Sequence, residues 1–396
     1  MPAKQKVLFI SHEATRTGAP LLLLSLITWM KESEAIEFAI LLKREGELGP
    51  EFEKLGRTYY FRPPMKYTPR NIVSRLIRAL FIVPIYEPFY LKRLKANLKK
   101  EHFSLVYSNT IANGEVLEFL EDLDCPTITH IHELQYSIEA FGRENIRKVL
   151  EFSDGYIAAS ESVRMNFATN YRVRPDKIVQ INDFVVNTVK SEKPGRREIL
   201  GEFGIPESSF IVGLSGTVEW RKGADLAMQL AFSFKKNNSD LPIYFLWVGQ
   251  FTDTAEKAKI DYDLEKSGLK DRLLFSGAKE NAGDYFSAFD LFVLLSREEA
   301  LGIVGIESAY LGKPVICFEN SGGMPEFVEG DAGFVVPYLD IEEVAKRIAM
   351  LYRQPELGRQ LGASGREKVL EGYTIEKQGP IFLDTINRRH FTGRDI

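Results

Sequence analysis

The stretch "LFVLLSREEALGIVGIESAYLGKPVICF", residues 291–318, decides the fold of this chain. It begins with the apolar run "LFVLLS" and ends with "PVICF", and a segment of small residues with helical spacing lies between these runs. Apolar runs that do not alternate with polar residues are typical of parallel strands buried on both faces, and helices join such strands. Gly312 lies where that helix should end. The stretch therefore predicts a strand–loop–helix–strand unit of a layered α/β protein.

The same pattern recurs along the chain in two sets, and the polar stretch 187–198 separates them as a predicted linker. Each set restarts with a strand that leads into a glycine-containing loop. The first set comprises "KVLFIS", "FAILLK", "LVYS", "PTITHI", "GYIAAS" and "KIVQI", and the second "FIVGLSG", "LPIYFLWVG", "RLLFSG", "LFVLLS", "PVICF" and "GFVVP". We therefore predict two Rossmann-like, doubly wound α/β domains facing across a cleft, over residues 1–190 and 191–373.

Length and composition agree with two domains. The chain has 396 residues, too many for one ordinary core, and its hydrophobic (44%) and charged (27%) fractions are those of a globular protein. A net charge of −4 predicts no general affinity for nucleic acid. Cys125 and Cys317 lie in apolar runs, which favours reduced thiols and a cytosolic compartment. No signal-peptide pattern follows "KVLFI", and no apolar run reaches the roughly 18 residues of a membrane span, so we expect a cytoplasmic protein.

Two carboxylates flank the helix start in the first stretch. Ligands of doubly wound sheets collect at the carboxyl ends of strands, near helix N-termini. The amides of Gly302, Ile303 and Val304 would be unpaired at this helix start, which makes them a ready anion site. Glu299 precedes them and Glu307 lies about one turn inside the helix, so both fit as acceptors for hydroxyls on either side of a phosphate. The alternative explains the spacing equally well: Glu299 would be a surface residue and Glu307 an ordinary helix residue, and neither would bind a ligand.

A second candidate is the loop within "GLSGTVEWRKGADL", residues 213–226. A strand ends in glycines that include Gly216, and Arg221 and Lys222 precede a second helix start. Cations beside such a loop suit a diphosphate and would stabilise the charge that grows on a departing phosphate. The glycines do not form G-x-G-x-x-G, so the dinucleotide fingerprint is absent. An exposed basic pair is the alternative.

Histidines and a glycine mark the first half of the chain. His130 and His132 in "PTITHIHELQYS" share one face of a strand, and His132 at its carboxyl end suits donation to a sugar oxygen. A buried, satisfied histidine is the alternative; a zinc site would need a third ligand, and no other His or Cys has a ligand-like spacing. Gly18, in the first strand-to-helix loop, would let a ligand approach the backbone closely.

Residues 62–100 are strongly basic. They contain ten Lys or Arg residues and a single acid, Glu87, interspersed with apolar and aromatic residues. Such a composition suits a surface that lies on anionic lipid. The alternative is a helical hairpin packed on the first sheet with its basic side in water.

In their order along the chain, these pieces resemble retaining glycosyltransferases of the GT-B fold, family 4, also described as glycosyl transferases group 1. The resemblance covers nearly the whole chain and is strongest in "GTVEWRKG", "REEALGIVGIESAYLGKPVI", "SGGMPEFV" and "AGFVVP". It also implies that a C-terminal helix, residues 374–396, packs back on the first domain.

The resemblance implies roles for the residues that match the family motifs. Glu307 would hold the nucleotide ribose, Glu299 the hydroxyls of the donor sugar, and Lys222 a phosphate. The amides of Ile303 and Val304 would meet the diphosphate, as the candidate anion site also predicts. In the first domain, Gly18 matches the second glycine of a Gly-Gly loop and His132 matches a catalytic-site histidine.

One departure from the family pattern concerns an arginine. The family commonly has Gly-Arg-Leu where this chain has Gly216-Thr217-Val218, so the usual arginine is absent. Arg221, beside the matching lysine, is the candidate replacement.

The implied activity is retaining transfer of a sugar from a UDP- or GDP-sugar to a glycan or lipid-linked glycan, in cell-surface polysaccharide synthesis. No cofactor and no metal are expected. D-x-D triplets that hold Mg²⁺ in another glycosyltransferase fold do occur here, at 122–124 and 261–263, but neither ends a strand, so we interpret them as solvated helix faces. The alternatives are an epimerase or phosphorylase of the same fold, and a transferase-like protein that binds sugars without catalysis.

Overall fold

The computed structural model describes residues 5–62, 83–185, 195–279 and 281–387. These residues divide into two compact units. The first contains the described residues up to Ala159, together with Val163–Ile181 and the residues from Gln378 onward. The second contains Ser160–Ser162 and Asn182–Lys377.

A seven-stranded sheet forms the centre of the first unit. Its strands are β1 (Lys6–Ser11), β2 (Glu37–Leu42), β3 (Arg57–Tyr60), β4 (Leu105–Ser108), β5 (Thr127–Ile131), β6 (Gly155–Ala158) and β7 (Ile178–Gln180). All pairs are parallel, in the order β3-β2-β1-β4-β5-β6-β7. Because β1 and β4 are neighbours in the sheet but not in sequence, the winding reverses between them.

A six-stranded sheet forms the centre of the second unit. Its strands are β8 (Phe210–Ser215), β9 (Ile243–Val248), β10 (Leu273–Phe275), β11 (Leu291–Leu294), β12 (Val315–Phe318) and β13 (Gly333–Val336). They too are all parallel, in the order β10-β9-β8-β11-β12-β13. Here the winding reverses between β8 and β11.

Helices connect the strands in both units. Before residue 186 they are α1 (Gly18–Glu32), α2 (Gly49–Leu55), α3 (Val83–Lys99), α4 (Gly114–Phe119), α5 (Gln135–Ala140), α6 (Arg143–Phe152) and α7 (Glu161–Asn170). After residue 194 they are α8 (Arg196–Glu202), α9 (Ala224–Asn237), α10 (Thr254–Ser267), α11 (Ala282–Phe286), α12 (Ile303–Tyr310), α13 (Met324–Val328), α14 (Ile341–Arg353), α15 (Pro355–Gly372) and α16 (Ile375–Asn387).

Burial on both faces of the second sheet explains its unbroken apolar runs. Val212 and Leu214 of β8 pack into a core with α9 and α14, whereas the preceding residue, Ile211, packs on the other face with α12, α13 and α15. A strand between two helical layers has no face left for polar residues. The prediction of two Rossmann-like parallel sheets is confirmed.

The twelve predicted strands are all present, and the structure adds β3. This strand has the sequence "RTYY", lies at the edge of its sheet and is at most half-buried. The predicted linker lies outside the described residues up to 194, and Arg196 already belongs to α8. Of the predicted C-terminal helix, the described part is α16. In the described ranges we find no helix with both the length and the apolarity that crossing a bilayer requires.

Candidate functional site

The reversal between β8 and β11 brings two loops of the second unit together. Parallel pairing of Leu291 with Val212, and of Phe292 with Gly213, aligns the carboxyl ends of the two strands. The loop after β8 contains Arg221 and Lys222, and the loop after β11 contains Glu299. Because the chain winds away in opposite directions from these strands, their loops separate and leave a crevice at the sheet edge.

Lys222 and Glu299 form an ion pair at this edge, with the lysine ammonium on Glu299 Oε1. Ser296 Oγ donates to the same oxygen over 2.8 Å. The backbone of Glu299 is also fixed, since its N–H donates to the Ser321 carbonyl at 2.8 Å and its carbonyl accepts from Gly323 N–H at 3.2 Å. Two motifs that are 77 residues apart thus meet in one buried pair.

Arg221 completes this charge cluster. Its Nη1 lies 3.7 Å from Glu299 Oε2 and donates to the Glu298 carbonyl at 2.9 Å, while Nη2 lies 3.1 Å from a Glu219 carboxylate oxygen. The guanidinium is therefore held beside Glu299 and Lys222. Arg221 stays the candidate replacement for the missing family arginine.

Two glycines shape the loops around the pair. Gly216 has φ +133°, and a side chain there would meet the aliphatic stem of Lys222 at 3.2–3.4 Å. Gly302 has φ +89°, and a Cβ would meet Met324 Cε at 3.0 Å and Leu294 Cδ2 at 3.1 Å. Both positions need a backbone conformation that L-residues other than glycine rarely adopt. The glycines thus permit the close approach of Lys222 and the start of α12.

Helix α12 presents one partly accessible strip. Ile303, Val304 and Glu307 are half-buried, whereas the buried positions of the helix are Gly305, Ile306, Ser308 and Ala309. The first two residues of a helix have no intrahelical partner for their N–H groups, and Glu307 follows Ile303 by about 6 Å along the axis. Within the described ranges no hydrogen bond or ion pair engages the Glu307 carboxylate. The accessible strip of α12 therefore carries the unpaired amides of Ile303 and Val304 and the unpaired carboxylate of Glu307.

The two acids differ in their protonation. Burial raises the pKa of Glu307 to about 7, because no cation compensates it. Burial would also raise the pKa of Glu299, which is 8% exposed, but Lys222 and Arg221 outweigh this effect and hold that pKa below its usual value. At neutral pH Glu299 is a fixed anion, whereas Glu307 is poised to be ionised by a ligand that stabilises its charge.

In the first unit, His132 lies directly after β5. Its Nε2 donates to Asn109 Oδ1 over 3.2 Å, and Asn109 Nδ2 donates to the Ala19 carbonyl over 2.7 Å. Asn109 follows β4, and Ala19 is the second residue of α1. Asn109 therefore links His132 to the helix start where Gly18 lies. Gly18 itself is exposed, and a Cβ there would meet no atom within 4 Å.

His130 fits the interpretation as a buried histidine. It is 2% exposed, the Tyr107 hydroxyl hydrogen-bonds its Nδ1 at 2.8 Å, and its ring centroid lies 3.9 Å from that of His132. Burial keeps its pKa well below the ordinary value, and the charge of His132 lowers it further. The neutral His130 ring thus packs against the His132 ring and helps to fix its position.

Sequence reasoning missed His12 and Asn109. His12 directly follows β1, its Nε2 lies 3.4 Å from a Glu13 carboxylate oxygen, and it is close enough to His132 for their charges to interact. Burial lowers the pKa of His12, with Glu13 acting in the opposite direction. Their positions in the sequence could have indicated them, because His12 comes directly after β1 and Asn109 directly after β4. The winding of the sheet reverses between these two strands.

The D-x-D triplets lie away from both sites. Asp261 and Asp263 are exposed on α10, as predicted, and Asp122 pairs with Lys95 and Lys99. The triplet at 122–124 lies in a turn rather than on a helix face, because the helix α4 ends at Phe119. Neither triplet ends a strand.

Family models match both halves of the chain. Residues 52–186 match the model described as Glycosyltransferase Family 4, and residues 195–368 match the model described as Glycosyl transferases group 1. Together the two matches cover well over half of the sequence. The second match contains the whole Lys222–Glu299 cluster and α12.

Curated relatives are glycosyl-transferring enzymes. The chain is 29% identical to N-acetyl-alpha-D-glucosaminyl L-malate synthase of Bacillus anthracis over 235 residues, which is 59% of each chain. It is 26% identical to a GDP-mannose-dependent alpha-(1-6)-phosphatidylinositol monomannoside mannosyltransferase of Mycobacterium tuberculosis over 251 residues, 61% of this chain and 63% of the relative. The alignments thus span about three fifths of the length of these relatives.

A solved structure shows the fold over the whole chain. HepE of Anabaena, in complex with UDP and glucose, superposes with a TM-score of 0.78 at 18% identity, covering 97% of this chain and 100% of HepE. The resemblance therefore extends across both sheets, which together make the two-domain GT-B architecture. With both family models matched and this fold present, the chain belongs to glycosyltransferase family 4, the glycosyl transferases group 1, of the GT-B type.

Proposed function

We propose that this chain transfers a sugar from a nucleoside diphosphate sugar, UDP- or GDP-linked, to a glycan or lipid-linked glycan, with retention at the anomeric carbon and without a metal. The donor is assigned to the second unit and the acceptor to the first. Two comparisons support a nucleoside diphosphate sugar as the donor. One relative is named as a GDP-mannose-dependent mannosyltransferase, and the structure of HepE contains UDP and glucose. Relatives named for lipopolysaccharide core biosynthesis support a role in cell-surface polysaccharide synthesis.

The observation that carries the proposal is the unpaired strip on α12. Leaving a half-buried carboxylate without a partner is unfavourable unless a ligand supplies the hydrogen bonds. A ribose supplies two adjacent hydroxyl donors to Glu307, and a diphosphate supplies oxygens to the amides of Ile303 and Val304. A nucleoside diphosphate satisfies both at once. A sugar without a nucleotide, or a phosphate alone, satisfies only one of them.

The cations beside the strip supply leaving-group stabilisation. When the bond between the anomeric carbon and the diphosphate oxygen breaks, negative charge accumulates on the diphosphate. Lys222 and Arg221 are already oriented by Glu299, so they stabilise this charge without reorganising. Glu299 in turn accepts hydrogen bonds from hydroxyls of the donor sugar, as the family resemblance implies.

Retention follows if the acceptor attacks the face that the diphosphate leaves. The acceptor hydroxyl oxygen bonds to the anomeric carbon, and its proton passes to an oxygen of the departing diphosphate. No separate carboxylate nucleophile is then needed. We assign His132, oriented by Asn109, to a sugar oxygen, because an imidazole ring can exchange hydrogen bonds with hydroxyls.

Nucleotide release from UDP- and GDP-sugars tests the proposal. We expect thermal shift with one of the two nucleotides to identify the donor, because ligands that bind only the folded state stabilise it. Glu299→Ala and Lys222→Ala should then lose release, whereas Lys236→Ala, an exposed lysine on α9, should not. Activity close to that of the parent protein in both site variants would refute the assignment. Release that requires no acceptor would favour a different reaction class.

EDTA separates metal-independent from metal-dependent transfer. We expect the release rate to be unchanged by the chelator, because Lys222, Arg221 and the α12 amides provide the positive potential at the diphosphate. Complete loss of activity in EDTA, with recovery on adding Mg²⁺ or Mn²⁺, would overturn this part of the proposal.

We further assign the acceptor to a lipid-linked glycan at the inner face of the cell membrane. The motivation is the basic segment 62–100, of which residues 63–82 lie outside the described part. On α3, Phe89 is 73% exposed and Lys92 and Arg93 are exposed beside it. Lys95 and Lys99 pair with Asp122, which reduces the charge available to lipid. Co-sedimentation with anionic vesicles at low salt is expected, and its absence would remove the membrane assignment.

A further inference from the structure

Trp220 lies in the same loop as Arg221 and Lys222 yet is 53% exposed. The loop around it is well ordered: the Trp220 carbonyl accepts from Gly223 N–H at 3.0 Å, and Val218 N–H donates to the Gln250 carbonyl at 2.8 Å. A large aromatic ring that stays exposed on a rigid loop presents apolar area without a large loss of conformational entropy on binding.

Arg297 holds this ring from one side. Its guanidinium carbon lies 4.4 Å from the Trp220 ring centroid, and Nη1 donates to the Trp220 carbonyl at 2.5 Å. Arg297 is fixed in turn by two hydrogen bonds to the Asp225 carboxylate, of 2.9 and 2.8 Å. Because the cation covers one face of the indole, the exposed area belongs to the opposite face and the ring edge.

A second exposed aromatic residue lies near Arg297. Tyr338 follows β13, is 42% exposed and lies within electrostatic reach of the Arg297 guanidinium. Its ring packs edge-on against Phe318 with centroids 6.0 Å apart. The next residue, Leu339, is 40% exposed with φ +63°, a conformation that is unfavourable for a bulky side chain. Backbone strain of this kind persists only where the surrounding structure holds it in place, and it is common at ligand-binding sites.

We propose that Trp220 and Tyr338 form a stacking platform on the second unit for pyranose rings of a glycan chain. The C–H face of a pyranose is apolar and carries partial positive charge, so it packs on the electron-rich face of an aromatic ring. The partly exposed carboxylates of Glu219 and Asp225 lie next to the platform and accept hydrogen bonds from ring hydroxyls. The platform rests on the proposed function only for the class of its ligand, a glycan.

Phe232 provides a matched control. It is also 53% exposed and belongs to the same unit, on α9. Across the described residues no cation stacks on its ring, in contrast to Trp220. Scattered exposed apolar residues are normal on protein surfaces, so Phe232 represents exposure without a platform.

Tryptophan emission tests glycan binding directly. Of the three tryptophans, Trp247 is buried, Trp29 is half-buried and Trp220 is exposed, so a blue shift on titration reports Trp220. The probes are maltohexaose, cellohexaose and chitohexaose, added at millimolar concentration to the full chain without donor. We expect at least one to shift the emission in the parent protein and in Phe232→Ala, and none to do so in Trp220→Phe.

Binding constants from calorimetry separate stacking from folding. We expect Trp220→Ala to weaken glycan binding by about tenfold, Tyr338→Ala to weaken it less, and Phe232→Ala to leave it unchanged. Trp220→Phe, which keeps a flat ring, should recover part of the affinity. The titration contains no donor, so its outcome is independent of whether transfer occurs. Absence of an emission shift with all three glycans, or equal weakening in Trp220→Ala and Phe232→Ala, would overturn the platform.

Discussion

The two sheets carry chemically different groups at equivalent positions. In the second unit, the strand ends at the winding reversal bear Lys222, Arg221 and Glu299, whose charges are paired. In the first unit, the strand ends at the corresponding reversal bear His12 and Asn109, and His132 follows the neighbouring strand β5; these three side chains are neutral or titratable hydrogen-bonding groups. One fold thus produces a charged edge and a nearly neutral one.

The proposed function accounts for this difference. A diphosphate carries fixed negative charge, so its site needs cations held in place before the ligand arrives. Sugar hydroxyls are neutral and each can donate or accept, so imidazole and amide groups suffice. Changes at the charged edge should therefore affect the reaction far more than changes at the neutral edge, and the following predictions test this order.

The largest effect is expected for Lys222→Ala. Loss of one preorganised cation at the leaving group should lower kcat by about 10²–10³-fold. The folded state should also lose stability by about 3 kcal/mol, because Glu299 remains buried with Arg221 at 3.7 Å as its closest cation. Single-turnover nucleotide release and urea denaturation measure the two effects separately.

The double variant Lys222→Ala/Glu299→Ala sharpens this test. Removing both partners eliminates the uncompensated charge, so most of the stability should return while kcat stays low. Recovery of activity in the double variant would mean that Lys222 acts only on Glu299 and not on the donor.

An intermediate effect is expected for Glu307→Gln. Hydrogen bonds to a charged group contribute about 1.5–3 kcal/mol, so nucleotide binding should weaken by about 10- to 150-fold. Calorimetric titration with UDP and GDP measures this. Glu356→Gln, on the exposed start of α15, is the matched control and should bind as the parent protein does.

The pKa of Glu307 adds a pH dependence to the same variant. Its folded-state pKa is raised to about 7, so the folded protein binds this proton more tightly than the unfolded chain. The corresponding stability is fully present below the unfolded pKa and is lost as the pH rises through 7. Glu307→Gln should therefore be more stable than the parent at pH 8, by about 3 kcal/mol at most, and equally stable below pH 4. A pH-independent difference in urea denaturation would contradict the assigned pKa.

The smallest effect is expected at the neutral edge. His132→Asn removes a neutral hydrogen bond, so we expect about a three- to tenfold lower kcat/KM for the acceptor and an unchanged nucleotide affinity. His102→Asn makes the same change at an exposed position with φ +51°, which asparagine tolerates, and should leave both values unchanged. A loss in His132→Asn as large as that in Lys222→Ala would reverse the proposed difference between the two edges.

Most of the fold could be predicted because its strands are buried on both faces. Their apolar runs are continuous and distinct from the helical segments, as in "LFVLLS" and "PVICF". The strand β3 was missed because an edge strand has one free side and tolerates the polar sequence "RTYY". Its pairing with β2 depends on the order of strands in the sheet, which periodicity does not encode.

The candidate site was predictable in its parts but not in its contacts. Ile303, Val304 and Glu307 lie on one short helix, so spacing alone places them. The Lys222–Glu299 pair depends on β8 and β11 being neighbours, which is a property of sheet order. Asn109 and His12 were missed for the same reason, because their significance appears only when β1, β4 and β5 lie side by side.

The Lys222–Glu299 pair also makes the charged edge selective before any chemistry takes place. Any anion that approaches Lys222 must compete with a carboxylate that already occupies the same ammonium group. Inorganic phosphate has no ribose hydroxyls for Glu307, and a nucleoside monophosphate lacks the second phosphate, so we expect both to compete less well than a nucleoside diphosphate sugar. Incomplete donors and cellular phosphate should therefore inhibit this protein only weakly.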